Sequence, residues 1–246
     1  MYDFSGEHYI TMVSKQGLIK RTKIDEFKVL RYSKPMTCMK LKDGDSLVAV
    51  LDSFKQEIFI ATHLGYGLRF IISEVAPTGI KSAGIKAITL KDDEVVSANM
   101  FDEHDEFISV ITCKNNGKRV RISEFERMSR ARKGTLLIRD VKTNPYYILK
   151  TFIVGNNTFL SLKIGGDYKN IKITELPILD RYSTGTGLTK ANIKMVFEET
   201  KVKEESEPVI IKQDDINSNE EELSLKSIDE KIMTIDDFLD DFEFDE

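Results

Sequence analysis

The sequence predicts an all-β, propeller-like domain of about four repeated four-stranded blades, followed by an acidic C-terminal tail. Three observations predict it. A motif recurs four times at a spacing near fifty residues, apolar alternating segments flank a Gly or Asn within each copy, and helical periodicity is weak across the repeats. The clearest markers are Glu26, Glu74, Glu124 and Glu175, which lie 48, 50 and 51 residues apart.

The first copy reads Ser14-Lys-Gln-Gly17-Leu-Ile-Lys20-Arg21-Thr-Lys-Ile24-Asp-Glu26-Phe27, and the second Thr62-His-Leu-Gly65-Tyr-Gly-Leu68-Arg69-Phe-Ile-Ile72-Ser-Glu74-Val75. The third is Thr112-Cys-Lys-Asn115-Asn-Gly-Lys118-Arg119-Val-Arg-Ile122-Ser-Glu124-Phe125. The fourth is worn, Lys163-Ile-Gly-Gly166-Asp-Tyr-Lys169-Asn170-Ile-Lys-Ile173-Thr-Glu175-Leu176. Each copy is preceded by an apolar segment such as Glu57–Ala61, turns at Gly or Asn, and resumes in a β-branched run. That pattern predicts a hairpin, since Gly and Asn tolerate the positive φ that such turns require. A second strand pair is expected from Met39–Val50 and Ile88–Val96, with turn chemistry at Asp43-Gly44. Four short strands per repeat give blades near 9–55, 57–105, 106–156 and 157–202, and radial stacking protects their edges.

Charge divides the chain in two. From Lys203 to Glu246 there are 17 Asp and Glu against 4 Lys, a balance of −13, which leaves 32 basic and 24 acidic residues, or +8, in 1–202. A basic body with an acidic tail points to nucleic acid. Two cysteines, Cys38 and Cys113, offer neither a disulfide framework nor a metal-ligand spacing. With no signal peptide and no apolar run of membrane-spanning length, the expected location is the cytoplasm.

Lys20-Arg21, Arg69 and Lys118-Arg119 share one register of successive repeats. In a radial array they are expected to form a cationic row that neutralises successive phosphates of a bent duplex without reading bases. Arg31, Lys34, Lys81, Lys86, Arg121, Arg127, Arg130, Arg132, Lys133 and Arg139 extend the expected DNA-binding set. The densest stretch is Arg127-Met-Ser-Arg130-Ala-Arg132-Lys133-Gly134. The recurring glutamates are expected to accept structural hydrogen bonds. No active site is expected: His8, His63 and His104 lie far apart, Asp92-Asp93 and Asp214-Asp215 fall in a turn and in the tail, and Gly65-Tyr-Gly67 opens no helix. Neither a metal nor a cofactor is expected.

The frame Thr-x-x-Gly-x-x-Lys-Arg-x-x-Ile-x-Glu-Phe, with Met39-Lys-Leu-Lys-Asp-Gly-Asp45 and Gly79-Ile-Lys-Ser-Ala-Gly84-Ile-Lys-Ala-Ile-Thr-Leu90, resembles the C-terminal DNA-wrapping domain of the A subunit of bacterial type IIA topoisomerases. The resemblance covers residues 8 to 200. Within the family, Arg132-Lys-Gly-Thr-Leu-Leu-Ile-Arg-Asp-Val-Lys-Thr-Asn-Pro145 looks more like topoisomerase IV of the Gram-positive type than gyrase, whose Gln-Arg-Arg-Gly-Gly-Lys-Gly hallmark is missing. The resemblance implies a β-pinwheel, in which blades exchange strands and duplex DNA bends around a basic rim. It also implies a non-catalytic module of an ATP-dependent isomerase acting in decatenation, relaxation and chromosome segregation. The implied partners are double-stranded DNA, the breakage–reunion core that shares its polypeptide, and the ATPase-bearing B subunit, on the nucleoid. Two rival readings are a wrapping domain of the gyrase A protein and a propeller scaffold for protein partners.

Residues 203–226 read as an acidic linker. In 227–246, Ser227-Ile-Asp-Glu230 resembles a capping box, and Ile232, Ile235, Phe238, Leu239 and Phe242 share a helical face.

Overall fold

Fifteen strands in four small antiparallel sheets make up the described part of the chain, residues 8–28 and 35–199 of a computed structural model. Arg31, Lys34, the linker and the tail lie outside the described residues. The first sheet holds β1 (Tyr9–Ser14), β2 (Leu18–Lys23) and β3 (Leu47–Asp52) of the first repeat. β4 (Glu57–Thr62), β5 (Tyr66–Ile71) and β7 (Val95–Phe101) form the second, and β8 (Phe107–Thr112), β9 (Asn116–Arg121) and β11 (Ile148–Val154) the third. β12 (Phe159–Ile164), β13 (Asp167–Lys172) and β15 (Ile193–Glu198) complete the fourth. The all-β, four-bladed expectation holds.

Each hairpin turns as the sequence predicts. Gly17, Gly65, Asn115 and Gly165 have φ of +78°, +91°, +63° and +63°. A hydroxyl at the mouth secures three of the turns: Ser14, Thr62 and Thr112 accept the N–H of Leu18, Tyr66 and Asn116 at 3.2, 3.0 and 3.1 Å. The outer strand then ends in a single 3-10 turn, at Ile24–Phe27, Ile72–Glu74, Ile122–Glu124 and Ile173–Glu175. The leading isoleucine of each turn is buried.

The second strand pair differs from the expectation. Its halves do not pair with each other. β6 (Ile85–Lys86), β10 (Thr135–Leu136) and β14 (Thr186–Gly187) cross to the preceding blade and pair with β2, β5 and β9. The first three sheets are therefore closed on their outer side by the repeat that follows each of them. Glycine makes the crossing possible. A Cβ on Gly134 would stand 2.3 Å from the Gly67 carbonyl oxygen, and its φ is +83°. Gly84 and Gly185 approach the carbonyls of Ile19 and Gly117 in the same way.

On the inner side β3, β7, β11 and β15 pack on one another in chain order. The apolar core forms between blades. Val13 and Ile19 meet Ile58, Ile60, Leu68 and Phe70; Phe59, Ala61 and Phe101 meet Ile108, Val110 and Val120; Ile111, Phe152 and Val154 meet Leu160, Leu162 and Ile171. No blade buries its faces alone, which is why the motif has to recur.

Candidate nucleic-acid interface

The in-register cations do not form an outer row. Lys20 and Lys118 are 1% exposed, and Arg119 is 8% exposed. The Lys118 ammonium donates to four carbonyls, those of Leu137, Asp180, Arg181 and Ser183, at 2.8, 3.0, 2.7 and 2.7 Å. Lys20 does the same on a smaller scale, to Cys38 and Ile80, both at 2.7 Å. Each lysine pins together two consecutive crossing segments, one from its own repeat and one from the next. Burial lowers the pKa of both, and Lys118 falls to about 8 although Asp180 and Glu124 pull it upward. In blade 2 the same register holds buried Leu68. There the segments bond to each other directly, the Ala131 N–H to the Ala87 carbonyl at 2.6 Å and the Thr89 hydroxyl to the Ala131 carbonyl at 2.6 Å.

Two of the three arginines, Arg69 and Arg119, are struts between blades. Arg69 grips Glu57 in two hydrogen bonds of 2.6 and 2.9 Å and reaches the Ile122 and Phe125 carbonyls of blade 3. Arg119 donates to the Leu176 carbonyl of blade 4 at 2.9 Å and lies 5.5 Å from the Phe107 ring centroid. Arg21 covers the Tyr9 ring at 3.9 Å. Lys20, Arg69, Lys118 and Arg119 are thus spoken for by blade contacts, whereas Arg21 rests on the Tyr9 ring and its buried Nε has no hydrogen-bond partner among the described residues. Those four recur together with the backbone carbonyls they satisfy.

Arg127 and Arg121 also depart from the expected rim. Arg127 completes the Glu57 cluster at 2.6 Å, although its own side chain is half exposed. The two guanidiniums, Arg69 first, hold the Glu57 carboxyl down to about 2. A carboxylate held this way contributes stability that is complete above its ordinary pKa of 4.5 and is lost as pH falls from there through 2. Glu57→Gln is expected to lose roughly 2 kcal/mol at pH 7 and to erase the wild type's excess acid sensitivity between pH 5 and 3. Urea unfolding of both chains at the two pH values checks this. Arg121 is exposed but lines a cleft with Asp102, Glu103, Asp105 and Glu106, carboxylates that repel a phosphate.

Three of the four recurring glutamates bind backbone, as expected, with Glu175 accepting the Lys172 N–H of its own turn at 2.9 Å. Glu74 accepts the Arg130 N–H and Glu124 the Arg181 N–H, each at 2.9 Å, so each holds the next repeat's crossing segment.

Where cations are exposed is on the crossing segments themselves. Lys81, Lys86, Arg132, Lys133 and Arg139 are exposed, and Arg130 is half-buried with its guanidinium on the Lys86 carbonyl. These segments touch in series on the outer side: Lys40 N–H to Ser82 O at 3.1 Å, Thr89 N–H to Arg132 O at 2.9 Å, Arg139 N–H to Tyr182 O at 3.2 Å. That continuity reveals a register the motif reading missed. Lys40, Thr89, Arg139 and Lys190 are equivalent, 49, 50 and 51 residues apart, and the three cations are exposed. The spacing was available in the sequence, but outside the quoted motif. In the fourth repeat the position of Arg127 passes to exposed Ile178 and that of Arg132 to Ser183, so the band is most basic around the second and third blades.

Strand-exchanging blades with a basic outer band define a propeller-like all-β domain. The profile described as DNA gyrase C-terminal domain, beta-propeller, matches residues 8–52, 56–102 and 106–154, and the chain belongs to that family. It is 36% identical over 186 residues to the A subunit of DNA topoisomerase 4 from Bacillus subtilis and 29% identical over 187 residues to that from Staphylococcus epidermidis. Each alignment covers 75% of this chain, which spans only 23% of the length of these curated relatives. The crystal structure of the C-terminal domain of DNA topoisomerase IV superposes with a TM-score of 0.76 at 32% identity, over 80% of this chain and 64% of that one. The DNA gyrase A C-terminal domain, at 15% identity and a TM-score of 0.69 over 80% of this chain and 68% of that one, shares the fold.

Proposed function

We propose that the domain binds duplex DNA through its sugar–phosphate backbone along the outer band and bends it around the blades. The observation that carries this reading is the hydrogen-bonded series of crossing segments presenting Lys40, Lys81, Lys86, Arg132, Lys133, Arg139 and Lys190 to solvent. Evenly spaced cations on a curved edge neutralise phosphates at regular intervals and require no particular base. In the longer protein the bent duplex would be presented to the breakage–reunion core, with ATP-dependent strand passage supplied by that core and a B subunit. The likeness to topoisomerase IV proteins favours decatenation and chromosome segregation over gyrase-type wrapping, in a cytoplasmic, nucleoid-associated enzyme.

Titrating the full chain with a labelled 40-base-pair duplex at rising salt tests the reading. Each neutralised phosphate contributes about −0.9 to the slope of log K against log salt, and a slope of about −4 or steeper is expected for several unrelated sequences. A slope near zero would favour a protein scaffold and overturn it.

A further inference from the structure

The third repeat departs from the frame of the first two just before its inner strand. In the first two repeats an aspartate there caps the hairpin turn: the Asp45 carboxylate accepts the Gln16 N–H at 2.9 Å, and Asp93 the Leu64 N–H at 3.0 Å. The residues that follow, Ser46 and Glu94, accept the Lys15 and His63 N–H through their carbonyls, each at 2.8 Å. Tyr147 accepts the Cys113 N–H in the same way at 2.9 Å, so Tyr146 stands where the other repeats hold the capping aspartate. Here the loop is tied down instead by Lys114, whose ammonium donates to the Asn144 carbonyl at 2.7 Å. The turn forms without the acid, and its capping does not account for the tyrosines.

Tyr146 and Tyr147 line a cavity of about 130 Å³ together with Leu64, Tyr66, Leu136 and buried Ile138. It lies on the seam between repeats, where Tyr66 of β5 pairs with Leu136 of β10. Positive charge surrounds it. The Lys133 ammonium stands 4.1 Å from the Tyr66 ring centroid, and that of Lys114 4.1 Å from the Tyr146 centroid. Exposed Arg139 belongs both to the cavity and to the outer band, where its N–H meets the Tyr182 carbonyl. Asp140 is the one acid on the lining.

A phosphate does not suit this interior, because the lining is largely apolar and the Asp140 carboxylate repels an anion. A flat, uncharged ring with polar edges does. Aromatic side chains stack on any base, and a carboxylate accepts from an exocyclic amino group. We infer that the cavity takes an unpaired nucleobase swung out of a duplex on the outer band, so that the domain favours DNA carrying an unpaired nucleotide. Lys133 and Arg139 take the phosphates on either side of that nucleotide. Tight bending unstacks base steps, and a base that has already lost its partner costs least to extrude. Such a base reaches the cavity from a duplex held by the outer band, so the site rests on that reading of the band.

Three labelled duplexes titrated with the full chain test it: one fully paired, one with a single extra 2-aminopurine nucleotide, and one with an abasic nucleotide in its place. The abasic bulge keeps the break in stacking but offers no ring. The 2-aminopurine bulge is expected to bind roughly tenfold tighter than the abasic one, and its fluorescence to fall at least about twofold as the ring stacks on tyrosine. The salt slope should be the same for both, since stacking releases no counterions. Tyr66→Leu and Tyr146→Asn are expected to remove the preference and the quenching while leaving affinity for the paired duplex within about twofold. The fold tolerates both, because Leu18 holds the Tyr66 register in the first repeat and Asp45 and Asp93 hold that of Tyr146. Equal affinity for the two bulges overturns the site and leaves flexibility of the bulge as the cause. So does a preference that survives both substitutions, which places the ring elsewhere. A chain that takes the 2-aminopurine bulge but not the paired duplex keeps the cavity and overturns the band, and one that binds neither overturns both.

Discussion

Lys118→Met is expected to destabilise the domain by roughly 3 kcal/mol at pH 7 although it adds apolar character to a buried site. The methionine fills much of the same volume. What it cannot do is donate, and four carbonyls from two segments lose their common partner. Those oxygens then stay dry and unsatisfied, or the 177–187 segment lifts from β9 to find water. For a domain of this size the loss corresponds to a fall of about 6–12 °C in the thermal midpoint. Hydrogen exchange should show β14 and its flanks opening first, since the pin is what binds them to the blade.

The pH dependence of this difference separates charge from hydrogen bonding. Lys118 has a pKa of about 8 when folded against the ordinary 10.5, because burial disfavours the charged form. The unfolded chain therefore binds more protons between those values, and wild-type stability rises with pH across them. By pH 10 the gain is on the order of 2–3 kcal/mol. Lys118→Met lacks it, so the gap between the two chains should widen from pH 7 to pH 10. A gap that narrowed instead would mean that the ammonium, not the amine, is the form the carbonyl cage prefers. Measuring the difference cancels the tyrosines and the remaining lysines, which titrate alike in both chains.

Much of the fold was legible because its determinants are local. Gly17, Gly65, Asn115 and Gly165 set their hairpins within a few residues, and the buried isoleucines and recurring glutamates mark where each outer strand ends. The strand exchange was not legible from the residues alone, since β6, β10 and β14 are two-residue strands whose partners lie about seventy residues away in sequence. Failure to see them misassigned the site. A lysine repeated in register reads as a surface row, because lysine is rarely buried without a partner. Here the partners are peptide carbonyls brought in by the crossing segments. One residue did carry the signal. Leu68 interrupts the lysine register with an apolar side chain, and a position that accepts leucine in one repeat is an interior position in the others. Tyr9, Glu57 and Phe107, facing Arg21, Arg69 and Arg119, were a second clue: each offers its arginine a partner within the protein.

Replacing Arg132, Lys133 and Arg139 together by glutamine should reduce the steepness of the salt dependence for duplex binding by up to about 2.7, and lower affinity at 0.1 M salt roughly a hundredfold. These three are exposed on the third repeat's crossing segment, the most basic stretch of the outer band. Their charge is presented to solvent, so the thermal midpoint should move by no more than about 2 °C. Arg69→Gln predicts the opposite pattern. It breaks the double grip on Glu57 and the bonds to the Ile122 and Phe125 carbonyls, so stability falls. The salt slope of the chain that remains folded should be unchanged, because the Arg69 guanidinium is committed to Glu57 and the blade 3 carbonyls. The two variants together dissociate the roles that one repeated motif conflates. If Arg69→Gln flattened the slope and the glutamine triple did not, the inter-blade arginines would be the contact surface after all, and the outer band would be only the seam where repeats are joined.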